Sequence, residues 1–289
     1  MNFEIVTDSS ANLTNELIDR YGLHILSLRF LVGDREYYSY VKGEENDLKK
    51  FYAMMRSKEN VKTSHISPAL CTELFEGLLR EGKDVLFLGF SSALSGTYET
   101  AERAMNELRE KYPERKMYCV DTLSASLGQG LLVTYAAKKR EEGLSIDETY
   151  RWVMDNRLHL CHWFTVDDLF FLKRGGRVNA ATAILGSMLG IKPVLHMDDE
   201  GRLIHVTKAR GRRASLDMLV RKMEELAIEP EKQTIYISHG DCVEDAEYVA
   251  GLIRDKWGNR DILIHYVDPV IGAHSGPGTV ALFFMGVHR

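Results

Sequence analysis

Hydrophobic and polar positions along this chain of 289 residues switch repeatedly between a strand period and a helix period. "FEIVTDSS" (3–10) is a short β-rich run ending in polar turn residues, and "NELIDRYG" then takes helical spacing. "HILSLRFLVGDREYYSY" reads as an irregular β stretch with a Gly-Asp turn, followed by a helix around "DLKKFYAMMRS". "TSHISPALCTELFEGLLREG" opens with capping hydroxyls and puts Pro68 near a helix start, with Leu70, Leu74 and Leu78 on its apolar stripe. "DVLFLGF" and "KMYCVDT" read as fully buried strands, each leading into a helix ("YETAERAMNELREKY" and "GQGLLVTYAAKKREEG"). Buried apolar strands alternating with helices predict a mostly parallel sheet.

After the helical "SIDETYRWVMDNR" and the segment "HWFTVDDLFFLKRGGRVN" the pattern changes. "KPVLHMDDEGRLIHVTKARG" is two β runs joined by "DDEG", a hairpin signal. Helix, strand, helix and strand follow through "ASLDMLVRKMEEL", "TIYISHG", "AEYVAGLIRDKWG" and "DILIHYVD". The chain is therefore expected to be α/β with two domains, a mostly parallel sheet in 1–159 and a mixed sheet in 160–289. It holds no internal repeat and no low-complexity tract.

Composition narrows the classes. Hydrophobic residues make up 45% and charged residues 27%, an ordinary balance for a soluble globular protein. A net charge of −5 disfavours a nucleic-acid coat or a polybasic membrane anchor. The cysteines (Cys71, Cys119, Cys161, Cys242) lie far apart without a C-x-x-C, which suits reduced thiols and a cytoplasmic location. "MNFEIVTDSS" has no basic n-region, so no secretory signal is expected. Pro269 to Val287 carries no charge, but "HSGPG" would break a spanning helix, so a buried loop and strand is expected there and no membrane segment.

Candidate chemistry starts from hydroxyl-rich turns at "TDSS" (7–10), "TSHISP" (63–68), "SSALSGT" (91–97) and "DTLSAS" (121–126). Any one of them is explained by helix capping. Several converging on the carboxyl edge of a parallel sheet form a ring of donors suited to a carboxylate or phosphate. The Gly-rich stretches fail as nucleotide motifs: "GQG" (128–130) lacks the third glycine, and "KRGGR" (173–177) lacks the Gly-Lys-Ser/Thr ending. A serine hydrolase would draw on Ser95 with His274 or His239, although "ALSGT" is not G-x-S-x-G. His159, Cys161 and His162 are better explained by a packed strand entry than by a metal.

"VNAATAILGSMLGIKP" (178–193) has no charge between Arg177 and Lys192, so as a helix it is buried or faces an apolar ligand. Burial in a core is the simpler account. Yet Ala180, Ala181, Ala183, Gly186 and Gly190 leave little side-chain volume to fill one. Such residues beside Ile184, Leu185, Met188 and Leu189 suit the wall of a slender apolar tunnel, with Ala183, Ile184 and Met188 as the acyl-chain candidates. Anion-holding hydroxyls in one half and a space-leaving apolar helix in the other describe an amphiphile with a charged head. A fatty acid fits.

The residues also resemble a known family. "IVTDSSANL", "KTSHISP", "FSSALSGTY", "DTLSASLGQG", "LFFLKRGGRV", "IKPVL", "TKARGRRA", "ISHGD" and "IGAHSGPGTVALFF" run the whole length in the order of the DegV family. This bacterial fatty-acid-binding group includes the FakB-type subunit of fatty acid kinase. The resemblance implies a long-chain fatty acid between two α/β domains. Its carboxylate would be held by Thr63, Ser95, Arg210 and His274, with Arg177 as the other strong family cation and Ser92 as a further hydroxyl. It also implies a lipid-binding carrier of phospholipid metabolism with no cofactor, no metal and no catalytic residue of its own. Such a carrier presents its ligand to a separate ATP-dependent kinase that makes the acyl phosphate. His65 and Ile66 stand where the family often has Gln or a similar polar residue. Two rivals remain at this stage, an acyl hydrolase or thioesterase using Ser95 and His274, and a lipid-responsive sensor.

Overall fold

The computed structural model describes residues 3–44, 46–178 and 190–289. The strands of the first part are β1 (Phe3–Asp8), β2 (His24–Leu26), β3 (Arg29–Val32), β4 (Arg35–Tyr38), β5 (Val61–Ser64), β6 (Asp84–Gly89) and β7 (Met117–Asp121). Four of them make a parallel sheet in the order β2-β1-β6-β7. The other three form a small antiparallel sheet, β4-β3-β5, whose β3–β4 turn passes through Gly33 in the left-handed region. The second part contributes β8 (Leu160–Thr165), β9 (Ile191–Met197), β10 (Leu203–Arg210), β11 (Ile235–His239), β12 (Ile262–Tyr266) and β13 (Val280–Met285). They build one mixed sheet in the order β10-β9-β8-β13-β11-β12, with only β11 and β12 parallel. Two α/β domains with a parallel and a mixed sheet are what the alternation of periods predicts.

Three local expectations need correction. "KMYCVDT" is an edge strand, so Tyr118 and Cys119 are only half-buried, unlike Val85 to Leu88 of the central β6. The helix Pro68–Arg80 starts at the proline, but its buried stripe is Cys71, Phe75, Leu78 and Leu79, and Leu70 faces outward. Phe75 sets that rotation by packing edge-on against Phe87 of β6. The uncharged segment from Pro269 begins as a short helix, Pro269–Ser275, where a loop was expected. Asp268 caps it by accepting from the backbone N–H groups of Val270 and Ile271, with Pro269 at the first helical position.

The helix Ser126–Glu141 joins the two halves and is buried on nearly every side through Ala137. Its "GQG" is the reason it fits. A Cβ at Gly128 would overlap His162 and Phe283 of the mixed sheet, and one at Gly130 would overlap the Ala11 carbonyl oxygen on the other side. Between them Gln129 donates to Thr7 Oγ1, Asp8 Oδ2 and the Leu88 carbonyl at 3.0, 3.1 and 3.3 Å. Arg289 closes the far side. Its buried guanidinium donates to Leu123 O, Asp198 O, Arg157 O, Leu160 O and Ser124 Oγ, which lie in both halves. Among the described residues no helix is long and apolar enough to cross a membrane.

Two glycine substitutions test this packing. Ala is a better helix former than Gly by about 1 kcal/mol, and Gly251, in the helix Val243–Trp257, has open space where a Cβ would go. Gly251→Ala is therefore expected to raise the urea midpoint. Gly130→Ala meets backbone instead and should lower stability by about 1–3 kcal/mol despite the same propensity gain. Equal shifts in the two variants would refute the close-approach account.

Candidate functional site

A cavity of about 330 Å³ is walled by residues of both halves, within the size range of small-molecule sites. Its apolar wall includes Leu28, Phe90 and Leu94 from the first half and Phe164, Leu172 and Val270 from the second. The polar lining gathers Thr63, Ser64, Ser95, Arg177, His274 and Ser275, with the exposed His65 and Gly96 beside them. The sequence expectation placed head-group loops in 1–159 and the acyl pocket in 160–289; among the described residues the lining of this cavity is mixed. Each half supplies both polar and apolar surface.

Thr63 arrives on β5 of the small antiparallel sheet, so "TSHISP" does not end a strand of the parallel sheet as the other three hydroxyl turns do. Its Oγ1 lies 2.8 Å from His274 Nε2. His274 sits in the last turn of the helix Pro269–Ser275, not on a loop, and its ring packs directly against Gly175, where a Cβ would overlap Nδ1. Burial, with the charges of Arg177 and Arg174 adding to it, pushes His274 down to about 4. The ring is therefore neutral at pH 7. With Nε2–H donating to Thr63, the threonine keeps its own hydroxyl hydrogen for an anion.

Arg177 is held by carbonyls instead of carboxylates. It donates to Leu94 O at 3.0 Å and to Gly175 O, and burial lowers its pKa. Among the described residues it has no acidic partner. Ser95 answers the capping question both ways. Its Oγ accepts from the Thr97 N–H at 3.3 Å, lies 2.9 Å from Thr97 Oγ1, and still lines the cavity. Three buried polar atoms of this lining, Ser64 Oγ, His274 Nδ1 and Ser275 Oγ, have no hydrogen-bond partner among the described residues. Buried groups of that kind are uncommon and mark where a ligand can bond.

Other candidates lie elsewhere. Arg210 is exposed at the end of the edge strand β10, and neither it nor Ser92 is among the described residues lining the cavity. Arg177 stands at the cavity in place of Arg210. Ala183, Ile184 and Met188 lie outside the described residues. Most hydroxyls of the other turns are occupied internally: Thr7 donates to Leu88 O, Ser9 accepts from the Leu28 N–H, and Ser91 donates to Gly201 O. Ser95 bonds Thr97 while His274 bonds Thr63, so a Ser95–His274 nucleophile–base pair is not assembled. His239 is buried beneath Tyr266, accepts from the Cys242 N–H and does not line the cavity. Among the described residues no cluster of His, Cys, Asp or Glu could hold a metal ion.

Ser64 belongs to the hydroxyl-rich turn 63–68 without having been named individually, and Ser275, next to His274, was not singled out. Ser126, which closes the turn 121–126, His162, read from sequence as a packed strand entry, and Ser238, not singled out there, also line the cavity.

A family model described as "Uncharacterised protein, DegV family" matches residues 2–286. A DegV domain-containing protein of Clostridium perfringens is 46% identical over 284 residues, covering 98% of this chain and 97% of that protein. Among solved structures, a DegV family protein from Thermus thermophilus, described for its fatty acid binding, has a TM-score of 0.87 and 29% identity. The alignment covers 99% of this chain and 100% of that one. A Thermotoga maritima protein described as revealing a fatty acid binding function has a TM-score of 0.84 and 28% identity, with coverage of 99% and 100%.

The depressed pKa of His274 sets a sign for acid stability. An unfolded histidine titrates near 6.5, so the unfolded chain binds this proton more readily than the folded one between pH 6.5 and about 4. The contribution is present above pH 6.5 and is lost as pH falls toward 4. An NMR titration of the lipid-free protein should place the His274 midpoint near 4, and His274→Gln should lose less stability across that window. A midpoint near 6.5 would put the ring in solvent.

Proposed function

As the chain belongs to the DegV family, we propose that it binds one long-chain fatty acid in this cavity, with the carboxylate against Thr63, Ser95, Arg177 and His274. The observation that carries the reading is the polarity of the cavity. Hydroxyls, a neutral imidazole and an acid-free guanidinium gather beside the exposed His65 and Gly96, and most of the remaining lining is apolar, with Ser126, His162, Ser238 and Thr279 as the polar exceptions. Fatty acid binding by the Thermus and Thermotoga proteins supports it. In this reading 1–159 and 160–289 are the two domains, and both contribute to head and tail.

The tail supplies most of the affinity. At ~0.8 kcal/mol per buried CH₂, about 14 methylenes offer on the order of 11 kcal/mol gross. The head sets orientation. We extend the proposal to a cytoplasmic carrier that hands its ligand to a separate kinase for conversion to the acyl phosphate. Phosphorylation adds negative charge at the carboxylate, and Arg177 and the uncharged His274, which can take up a proton, are the groups placed to meet it. Arg210, on the exposed edge strand, has no part in holding the carboxylate in this account.

Mass spectrometry of lipid extracted from the purified protein should find a fatty acid at close to one per chain; no lipid and no uptake of added oleate would end the proposal. Arg177→Ala should weaken fatty-acid affinity tenfold or more, because hydrogen bonds to charged groups are worth about 1.5–3 kcal/mol. Thr63→Val and Ser95→Ala should weaken it in the same direction, and Arg210→Ala should leave it within about twofold. Loss of affinity in Arg210→Ala alone would restore that residue to the head group. With ATP and the partner kinase, hydroxylamine trapping should detect acyl phosphate from the parent and much less from His274→Ala.

A further inference from the structure

We propose that the mouth of the cavity is a phosphoryl subsite, in which His65 and the first turn of the helix Thr97–Lys111 hold the phosphate of an acyl phosphate. This rests on the fatty-acid reading above and concerns what lies just outside the carboxyl group. Among the described residues that line the cavity, only His65 and Gly96 are exposed. They mark where it opens to solvent. Both are tied to the head-group side chains by the chain itself. His65 follows Thr63 by two residues, which span at most about 7 Å, and Gly96 directly follows Ser95. An acyl phosphate carries its phosphorus two bonds beyond the carboxyl carbon, a reach that this short separation accommodates.

The groups at the mouth have donors to spare. His65 Nδ1 lies 2.9 Å from the Ile66 carbonyl oxygen and 3.4 Å from Thr100 Oγ1, which itself donates to Gly96 O at 2.7 Å. The Nδ1 hydrogen therefore belongs to the Ile66 carbonyl. Nε2 has no hydrogen-bond partner among the described residues. Its ring neighbour Cδ2 is the atom closest to Gly96, 3.7 Å from where a Cβ would stand, so Nε2 lies on the side away from Nδ1 and its partners. Protonated, it donates to a phosphate oxygen. The helix starts at the same place. Gly96 is its N-cap and brings no capping side chain, and only the Thr97 N–H is taken up, by Ser95 Oγ. The N–H groups of Tyr98 and Glu99 have no acceptor among the described residues, and the positive end of a 15-residue helix favours an anion there. Glu99, the acidic residue of this turn, lines a separate surface depression with Glu102 and Glu110 and not this cavity.

A second observation points independently to a larger anion. Ser275, next to His274 in the same lining, is only 6% exposed, and its Oγ has no partner among the described residues. Ser64 Oγ, between Thr63 and His65 in the chain, is likewise buried and unpartnered. A carboxylate accepts about four hydrogen bonds, and Thr63, Ser95, Arg177 and His274 fill them in the reading above. Ser64, Ser275, His65 and the helix N–H groups are then left over. A phosphate on the carboxylate brings three more acceptor oxygens.

The test measures displacement of a fluorescent fatty acid from the lipid-stripped protein by palmitate and by 2-oxoheptadecylphosphonate, an acyl phosphate mimic in which CH₂ replaces the bridging oxygen. The parent is expected to bind the phosphonate at least as tightly as palmitate. In His65→Ala the ratio of phosphonate to palmitate affinity should fall roughly fivefold or more. Gly96→Ala, whose methyl meets the ring at ordinary contact distance and fills the space before it, should lower the ratio in the same direction. Both positions are exposed, so the fold should survive either change. A ratio unchanged in either variant, or a parent that binds palmitate but not the phosphonate, would overturn the inference while leaving fatty-acid binding intact. Binding of neither ligand would remove the fatty-acid reading itself.

Discussion

Gln129 reaches the buried Asp8 carboxylate only because the residues on either side of it are glycines. Asp8 is completely buried at the end of β1, where it accepts from the N–H groups of Phe90 and Ser10 and from Gln129. Burial pushes its pKa up to about 6 against those three hydrogen bonds. The strand ends of β1 and β6 are thereby tied to the helix Ser126–Glu141, whose other face rests on the mixed sheet through Gly128. Close approach on two sides fixes the spacing of the sheets. That spacing leaves the cavity its width.

The same tie explains why few of the hydroxyls near the sheet edge are free to meet a ligand. Parallel strands deliver their polar turns to one edge, and each buried backbone or side-chain group there needs a partner. Thr7, Ser9 and Ser91 are used up in that task. The cavity hydroxyls without a partner come from elements whose backbones are already satisfied, Ser64 on β5 and Ser275 at the end of a capped helix. Structural need and ligand binding draw on the same residue types, and the hydrogen-bond ladder decides which residue does which.

That division marks what a sequence can disclose. Alternation of buried strands with helices makes the parallel sheet legible, and "DDEG" identifies the β9–β10 turn, where Asp198 accepts from the Glu200 and Arg202 N–H groups. Thr63, Ser95 and His274 stand out by residue type and resemblance, and the fold gathers them at one cavity. The choice between Arg177 and Arg210 was not legible, because both are basic residues beside glycine. Which of the two lines the cavity turns on sheet order: Arg210 ends an exposed edge strand, whereas Arg177 follows a helix packed against the Pro269–Ser275 helix. The polar wall of Ser126, Ser238 and His162 was hidden for a similar reason. Each residue reads locally as a cap or a strand-end polar group, and they meet only across the two sheets.

In the proposed reading, the polar part of the cavity is held in an unfavourable state that a bound carboxylate would relieve. Arg177 is desolvated and offered only carbonyl oxygens, and His274 is kept neutral by burial beside two arginines. Neither arrangement contributes much to folding, since a partly desolvated cation without a counter-charge gains little from hydrogen bonds to carbonyls alone. A carboxylate placed there reverses both effects. It neutralises the guanidinium and favours a proton on the imidazole, so part of the binding energy is the relief of a cost set during folding. An apolar ligand without a charged end cannot provide that relief. In the proposed reading, preference for a carboxylate head would follow from the cost of leaving Arg177 without an acidic partner as much as from the hydroxyls around it.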